Sequence, residues 1–241
     1  MDRRGSGRSA FGGGYIYGGS AVYRKNRFDL KIGEEKVGSK EYQLCMDLVK
    51  YDVKMEIQKR YDALYGEDFW EQSYEGQYGY EILADHTVEK IKYIHAVYDL
   101  AEEYGDVSDG SFAAIEKRWK QENAKRQKKV EDGEVIYGLK EYTFDLYMQY
   151  EISMYKEIYC NDTDRKGMDL TEEEVAEYYS QGEWVFQDDG EKADLETARI
   201  AVERELREKK YDAMIAQMTE DLEVSGDLEA VDRFTLDHLK R

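Results

Sequence analysis

The stretch from Leu170 to Leu222 constrains the fold most, because its pattern predicts a short helix followed by a much longer one. Thr171 and Glu174 have the spacing of a capping box, so a helix is expected to begin there and to stop at Gly182. A short apolar piece and a polar turn follow. Asp194 then predicts the start of a second helix that reaches about Leu222.

The apolar side chains of this long helix change face halfway along it. The second set lies roughly 140° round from the first, at about 100° per residue. The first set is Leu195, Ala198, Val202 and Leu206, and the second is Tyr211, Met214, Ile215, Met218 and Leu222. A straight helix with this pattern is expected to contact two different bodies, and we interpret it as the helix around which the others are arranged. The expected partners are the Tyr178-Tyr179 helix, with Trp184 and Phe186, and the N-terminal helix, with Val49, Val53 and Ile57.

The rest of the chain predicts a mainly α fold, a multi-helix cradle with a small β element near the N-terminus. Alternating residues at 28–32 indicate a strand, and no βαβ alternation follows. Further helices are predicted at about 39–64, 85–104, 111–130 and 140–159, with a loop at 65–79. The domain prediction is a flexible tail rich in Gly, Ser and Arg at 1–26, a helical domain at 27–224, and a C-terminal tail or short closing element at 225–241.

The net charge and the hydropathy of the chain argue against several classes of partner. The chain has 54 acidic and 35 basic residues, for a net charge of −19, which argues against nucleic acid and against an anionic membrane surface. No apolar run is long enough to predict a transmembrane segment, and no signal peptide is visible. The two cysteines, Cys45 and Cys160, fall at helical positions and are expected to be buried thiols.

Three stretches together resemble the chaperone module of SurA-type and PrsA-type peptidyl-prolyl isomerases, which is related to the substrate-cradling part of trigger factor. One is the strand and helix start from Phe28 to Tyr42. Another comprises Trp119, Asn123 and Arg126, then Ile136-Tyr137-Gly138 and a Tyr-rich helix. The third is the Leu170 to Tyr179 helix, followed by the long helix with Lys210-Tyr211-Asp212. The resemblance covers roughly residues 28–224.

One departure from that family bears on activity. A parvulin-type rotamase domain usually lies between the Tyr-Tyr helix and the long final helix, but here only Gly182 to Ala193 occupies that place. The resemblance therefore implies a chaperone module without the enzyme, so no prolyl isomerase activity is expected. It also implies a location outside the cytoplasm, in the cell envelope, with the cytoplasm as the alternative.

Other chemistry in the sequence is sparse. His86, His95 and His238 are far apart in helices or near the chain end, and they form no recognisable catalytic pattern. Residues 162–173 have acids at some EF-hand positions, but Lys166 stands where a ligand is required. We therefore predict no catalytic residue, no cofactor and no metal site.

The aromatic side chains carry the functional hypothesis, since Tyr and Trp offer large rigid contact area with a polar tip. The candidates for binding polypeptide are Phe69, Trp70, Tyr147, Tyr150, Tyr155, Trp184 and Phe186. They predict a non-catalytic protein that holds unfolded or partly folded polypeptides on a concave apolar surface. The alternative is a helical scaffold or dimerisation module, including a homodimer, that binds one specific protein partner.

Overall fold

A computed structural model describes residues 28–186 and 191–240 of the chain, and the predicted tail at 1–26 lies outside those residues. The fold is mainly α with a small sheet near the N-terminus, as the sequence predicts. The described residues form seven α-helices, which are α1 Ser39–Tyr61, α2 Gly79–Glu103, α3 Phe112–Glu131, α4 Phe144–Asn161, α5 Glu172–Gln181, α6 Leu195–Asp221 and α7 Leu228–Leu239.

The strands are short. They are β1 Leu30–Ile32, β2 Glu35–Lys36, β3 Ser73–Tyr74, β4 Gln77–Tyr78 and β5 Val224–Gly226. The first sheet has the order β2-β1-β5, all antiparallel, so a strand from the end of the chain pairs with the one at its start. Gly226 lies so close to β1 that a Cβ atom there would meet the carbonyl oxygen of Asp29, which is why glycine is needed. This pairing closes the domain.

Helix α2 begins six residues earlier than the predicted start, because the stretch before it is not a plain loop. A short 3₁₀ helix at Phe69–Glu71 leads into the β3-β4 hairpin, whose turn residues Glu75 and Gly76 both have positive φ. The backbone amide of Tyr78 then donates to the Glu81 carboxylate at 2.7 Å and caps the first turn of α2.

The central helix of the fold is α2, and the prediction that α6 holds this place is wrong. Four helices pack around α2, and these are α1, α4, α6 and α7. Small and branched apolar residues such as Ala84, Ile91, Ala96 and Val97 let these neighbours approach closely, and all four are buried. A helix that is apolar around most of its circumference is expected to lie inside a domain.

Helix α6 joins two hydrophobic cores, and this confirms the prediction from its change of face. Its first half packs on α5 around a small core of Val175, Trp184, Ala198 and Val202. Its second half, with Tyr211 and Ile215, enters the main core. There it packs against α2 and α4, whereas the sequence predicts the N-terminal helix as its partner. We call α5, the first half of α6 and the Trp184 segment the lobe, and the remainder the body.

Residues 225–240 contain the end of β5 and helix α7, which packs against α2 and the 3₁₀ helix. Both cysteines are buried free thiols, Cys45 on α1 and Cys160 on α4, as predicted. None of the helices within the described ranges combines the length and the hydropathy that a membrane crossing requires.

Candidate functional site

The seven aromatic residues predicted to bind polypeptide fall into two groups in the structure. Five are buried, and these are Phe69, Trp70, Tyr147, Tyr155 and Trp184. The other two, Tyr150 and Phe186, are 45% and 54% exposed. Of the seven, only Tyr150 and Phe186 offer contact area to another molecule in this conformation, because a buried ring is already covered by its neighbours.

Phe69 and Trp70 fix the hairpin to the start of α2. Their rings make an edge-to-face contact with centroids 5.0 Å apart, and the Tyr74 hydroxyl donates to the Phe69 carbonyl at 2.8 Å. The backbone of Gly79 rests directly on them, since a Cβ there would be 3.0 Å from the Phe69 carbonyl oxygen. These contacts give the two rings a packing role.

Tyr147 and Tyr155 line the most polar part of the body core, around the buried Glu151. The Glu151 carboxylate accepts hydrogen bonds from the hydroxyls of Tyr98 and Tyr147 at 2.9 and 2.7 Å. It also forms a bidentate ion pair with the Arg118 guanidinium at 2.8 and 2.9 Å. Burial and the nearby carboxylate raise the pKa of Tyr147, and raise that of Tyr155 to about 12. Both phenols therefore remain neutral, and Tyr147 stabilises the buried charge as a donor.

Tyr150 belongs to a row of apolar side chains on the outer face of α4. Its ring stacks on Tyr142 with centroids 5.7 Å apart. The row follows an i, i+4 spacing and consists of Leu146, Tyr150, Met154 and Ile158. Three of its members are exposed, and Met154 is half-buried against the body. We call this row the α4 ridge. Ridges of this spacing are the ones that pack into the grooves of a second helix.

Trp184 holds the lobe together from within. Its indole Nε1 donates to the Tyr179 carbonyl at 3.0 Å, and its ring lies 6.0 Å from that of Tyr178. Gly182 ends α5 directly against the indole, where a Cβ would come within 2.8 Å of Nε1. The capping box predicted for α5 is also present, with Glu174 accepting from the backbone amide of Thr171 at 2.9 Å.

Phe186 stands beside Trp184 at the rim of an open cleft in the lobe. The cleft has a volume of about 430 Å³ and lies between the end of α5 and the middle of α6. Tyr178 and Glu205 contribute to its wall, and the Lys209 ammonium lies 5.1 Å from the centroid of the Tyr178 ring. Val185 is exposed next to Phe186. We call this site the lobe cleft.

His95, His238 and the acidic loop at 162–173 make contacts within the fold. His95 Nε2 lies 2.8 Å from the Glu41 carboxylate, and His238 Nδ1 lies 2.8 Å from the Phe234 carbonyl oxygen. Asp162, the first residue of the EF-hand-like stretch, accepts from Arg165 Nε and from the backbone amide of Asp164, both at 3.1 Å. These bonds lower the pKa of Asp162, which keeps it ionised. Within residues 28–186 and 191–240, no three His, Cys, Asp or Glu side chains are placed to hold a metal ion.

The chain matches no family model and no solved structure. A curated protein named as the chaperone for lacto-N-biosidase, from Bifidobacterium longum subsp. longum, is 29% identical to it over 210 residues. The match covers 86% of this chain and 75% of that protein. A likeness of this extent is not confined to one helix or one lobe.

Proposed function

We propose that this chain is a chaperone that assists another protein to fold and carries out no covalent chemistry itself. The observation that supports this most is the likeness, over 86% of the chain, to a protein named as a chaperone. The surfaces described above agree with it, since the α4 ridge is made of apolar side chains and the lobe cleft presents exposed Val185 and Phe186 beside its charged wall.

The client that we propose is a single enzyme of the glycosidase class. The relative is named as the chaperone for lacto-N-biosidase, and we propose that the client of this chain is an enzyme of the same kind. A chaperone of this kind binds its client while the client is not yet native, so it must tolerate an irregular apolar surface. Tyr and Phe suit such contacts because they offer large area at a small cost in side-chain entropy.

The client would be held on the α4 ridge and in the lobe cleft, with Tyr150 and Phe186 as the accessible aromatic contacts. Trp184 would contribute only if the lobe opened, Phe69 and Trp70 only if the hairpin opened, and Tyr147 and Tyr155 only if the body core opened. The strongly acidic exterior would keep a complex with a partly folded client in solution.

The resemblance to the SurA-type and PrsA-type chaperone module remains part of this proposal. In that reading the short segment from Gly182 to Ala193 takes the place of a rotamase domain, and prolyl isomerase activity is not expected. The same resemblance supports a location in the cell envelope, and the cytoplasm is the alternative.

A second candidate function is a helical scaffold that binds one folded partner or a second copy of the chain. The α4 ridge favours it, because a straight row of apolar side chains at i, i+4 spacing suits a helix of defined geometry. Such a protein would form a stable complex with native protein and would not prevent aggregation.

Dilution of denatured lacto-N-biosidase into buffer, with and without this chain, tests the proposal. We expect the chain to lower light scattering and to raise the recovered glycosidase activity, and to do neither for an unrelated denatured protein such as citrate synthase. Rescue of both proteins would contradict a dedicated client. Rescue of neither, together with a stable dimer in sedimentation, would replace the proposal with the scaffold.

Matched variants locate the surface in the same assay. Ile158→Ser on the α4 ridge and Phe186→Ser at the lobe cleft should lower the rescue while leaving the thermal midpoint unchanged, because both side chains are exposed. Leu64→Ser alters an apolar side chain that is more exposed than either and belongs to neither site, and it should have no effect. Equal rescue by all three variants would exclude these surfaces as the client site.

A further inference from the structure

The end of α3 and the loop that follows it form a projecting arm, residues 119–142, which the candidate surfaces above do not include. Beyond Lys120 the side chains of this arm are exposed or half-buried, and none is buried. A cleft of about 500 Å³ lies between the last turns of α3 and the returning loop. Trp119 and Tyr142 at the base of the arm pack against the main core, and the residues between them form a surface feature.

The returning loop is held against α3 by specific polar contacts. Trp119 Nε1 and Asn123 Nδ2 both donate to the Tyr142 carbonyl, at 2.7 and 2.8 Å, and the Tyr142 amide donates back to Asn123 at 2.9 Å. The Arg126 guanidinium donates to the Leu139 carbonyl at 2.6 Å and stacks over the Tyr142 ring at 4.6 Å. Together with bonds from the backbone amides of Gly133 and Glu134 to carbonyls of the last turn of α3, these contacts hold both ends of the loop against the helix.

The fixed loop displays apolar side chains to solvent. Tyr137 is 88% exposed and Val135 is 74% exposed, and both line the cleft. Val130 and Leu139 are exposed nearby. A single exposed apolar residue needs no explanation, but four close together, one at the end of α3 and three on the loop that follows it, are typical of a surface that binds a partner.

The last turns of α3 carry a cluster of lysines on a protein whose net charge is −19, although the acids Asp132 and Glu134 also line the cleft. Lys125, Lys128 and Lys129 lie within one turn of α3, and none of them has an ion-pair partner in the part of the chain that the structure describes. Elsewhere acids outnumber bases, so unpaired lysines clustered at one place are not a consequence of the composition. Lys128 and Lys129 also stabilise the end of the helix through its dipole, whereas Lys125 lies outside the last turn.

We propose that the arm binds an acidic segment of the client polypeptide, with an apolar side chain of that segment seated against Tyr137 and Val135. The lysines supply the charge complementarity and the fixed loop supplies the apolar contact. A nucleic acid or an anionic membrane fits less well, because either extends far beyond the arm and would be repelled by the acidic remainder of the protein, whereas a short acidic segment contacts the arm alone. This inference rests on the proposed function, since it assigns the acidic segment to the client.

Fluorescence anisotropy with a labelled synthetic peptide, in which Asp and Glu alternate with Leu and Phe, tests the inference. We expect saturable binding that weakens as salt is raised. Lys125→Glu/Lys128→Glu should weaken binding about tenfold, because two favourable charge contacts become repulsive. Tyr137→Ala should weaken it as well, and Lys125→Glu/Lys128→Glu should not weaken binding of the same peptide with Lys in place of its acids.

Lys50→Glu/Lys59→Glu is the matched control. It makes the same change of charge on α1, where Lys59 also lies in the last turn of the helix. Equal weakening by the two double variants would show a general charge effect and overturn the inference. So would lysine-dependent binding of a DNA oligonucleotide or of phosphatidylserine vesicles without binding of the peptide.

The refolding assay separates this inference from the proposed function. Wild-type protein that binds the peptide through the arm but rescues no enzyme would contradict the proposed function alone. Protein that rescues the enzyme equally well with and without Lys125→Glu/Lys128→Glu would contradict the role of the arm alone.

Discussion

The hydroxyl of Tyr42 lies 2.5 Å from Oγ1 of Thr235, and this buried hydrogen bond joins α1 to α7 across 193 residues of chain. Thr235 Oγ1 also lies 3.0 Å from the Val231 carbonyl, to which its hydroxyl donates. Tyr42 is therefore the donor in the pair. Its ring is flanked by those of Phe28 and Phe234, so residues from both ends of the domain share one core.

Removing either hydroxyl of this pair should destabilise the whole domain. Tyr42→Phe keeps the ring packing and should lower the free energy of unfolding by about 0.5–1.5 kcal/mol. Thr235→Val leaves the buried Tyr42 hydroxyl without this acceptor and should cost about 1–3 kcal/mol. Both variants remove the same hydrogen bond. The free energy of unfolding that the double variant loses, measured by urea denaturation, should therefore be smaller than the sum of the two single losses. Strictly additive costs would show that the bond does not contribute.

Removing Glu151 should destabilise the protein more than removing its ion-pair partner Arg118. Glu151→Leu leaves Arg118 and two tyrosine hydroxyls without their acceptor, and loss of one partner of a buried pair typically costs about 3–5 kcal/mol. Arg118→Leu should cost less, because Glu151 keeps the hydroxyls of Tyr98 and Tyr147 and the Arg118 side chain is itself partly exposed.

Guanidinium denaturation of the two variants checks this order. The control is Gln149→Ala, which alters an exposed residue on the same helix and should change stability by less than about 0.5 kcal/mol. A larger loss for Arg118→Leu than for Glu151→Leu would mean that the tyrosine hydroxyls do not support the carboxylate.

Local signals predicted the elements that depend on neighbouring residues. The capping box of Thr171 and Glu174, the Asp194 cap and the two faces of α6 are all present, because each depends on side chains within a few turns. The pairing of β5 with β1 was not predictable in this way. Val224–Gly226 is too short to show alternation, and its partner lies almost two hundred residues away.

Residue type alone could not predict which aromatic side chains are exposed. Trp70 and Phe186 are equally apolar in sequence, yet one fills a core and the other lies at a rim, because tertiary contacts decide burial. The chain has 22 tyrosines, and those such as Tyr98 and Tyr147 complete a buried polar network rather than a surface. The exposure of Tyr137 likewise depends on how Arg126 and Asn123 hold the loop, which no local pattern specifies.

Asp232 on α7 makes the stability depend on pH. Burial raises the pKa of its carboxyl to about 6, and the nearby acids Glu81, Asp85 and Glu229 add to this while Arg233 opposes it. Because the pKa is higher in the folded state than in the unfolded chain, protonation of Asp232 stabilises the fold. That stabilisation is present below about pH 4 and is lost as the pH rises through about 6.

Asp232→Asn should therefore raise the thermal midpoint at pH 7.5 by about 2–4 °C, and by much less at pH 4. Differential scanning calorimetry at the two pH values measures this difference. Asp237→Asn, on the exposed side of the same helix, is the matched control and should show no such dependence. If the thermal midpoint of Asp232→Asn equals that of the wild type at both pH values, the pKa of Asp232 is not raised.

Substitutions in the two halves of α6 should separate the lobe from the body. Ile215 is buried in the body core, so Ile215→Ala should cost about 2–5 kcal/mol and lower the stability of the whole domain. Val202 is buried in the small lobe core beside Trp184, which few other apolar side chains support. In Val202→Ala the lobe should therefore open locally, and the free energy of this opening should be smaller than the free energy of unfolding of the whole domain.

Hydrogen exchange followed by mass spectrometry distinguishes the two outcomes. Val202→Ala should speed exchange in α5 and the first half of α6 while α1 and α2 keep their protection, and Ile215→Ala should speed exchange throughout. Opening of the lobe would also uncover Trp184, so Val202→Ala should raise the accessibility of that indole to a quencher such as acrylamide. Equal loss of protection in α2 and α5 would mean that the lobe and the body unfold as one unit, and that Trp184 becomes accessible only when the whole domain unfolds.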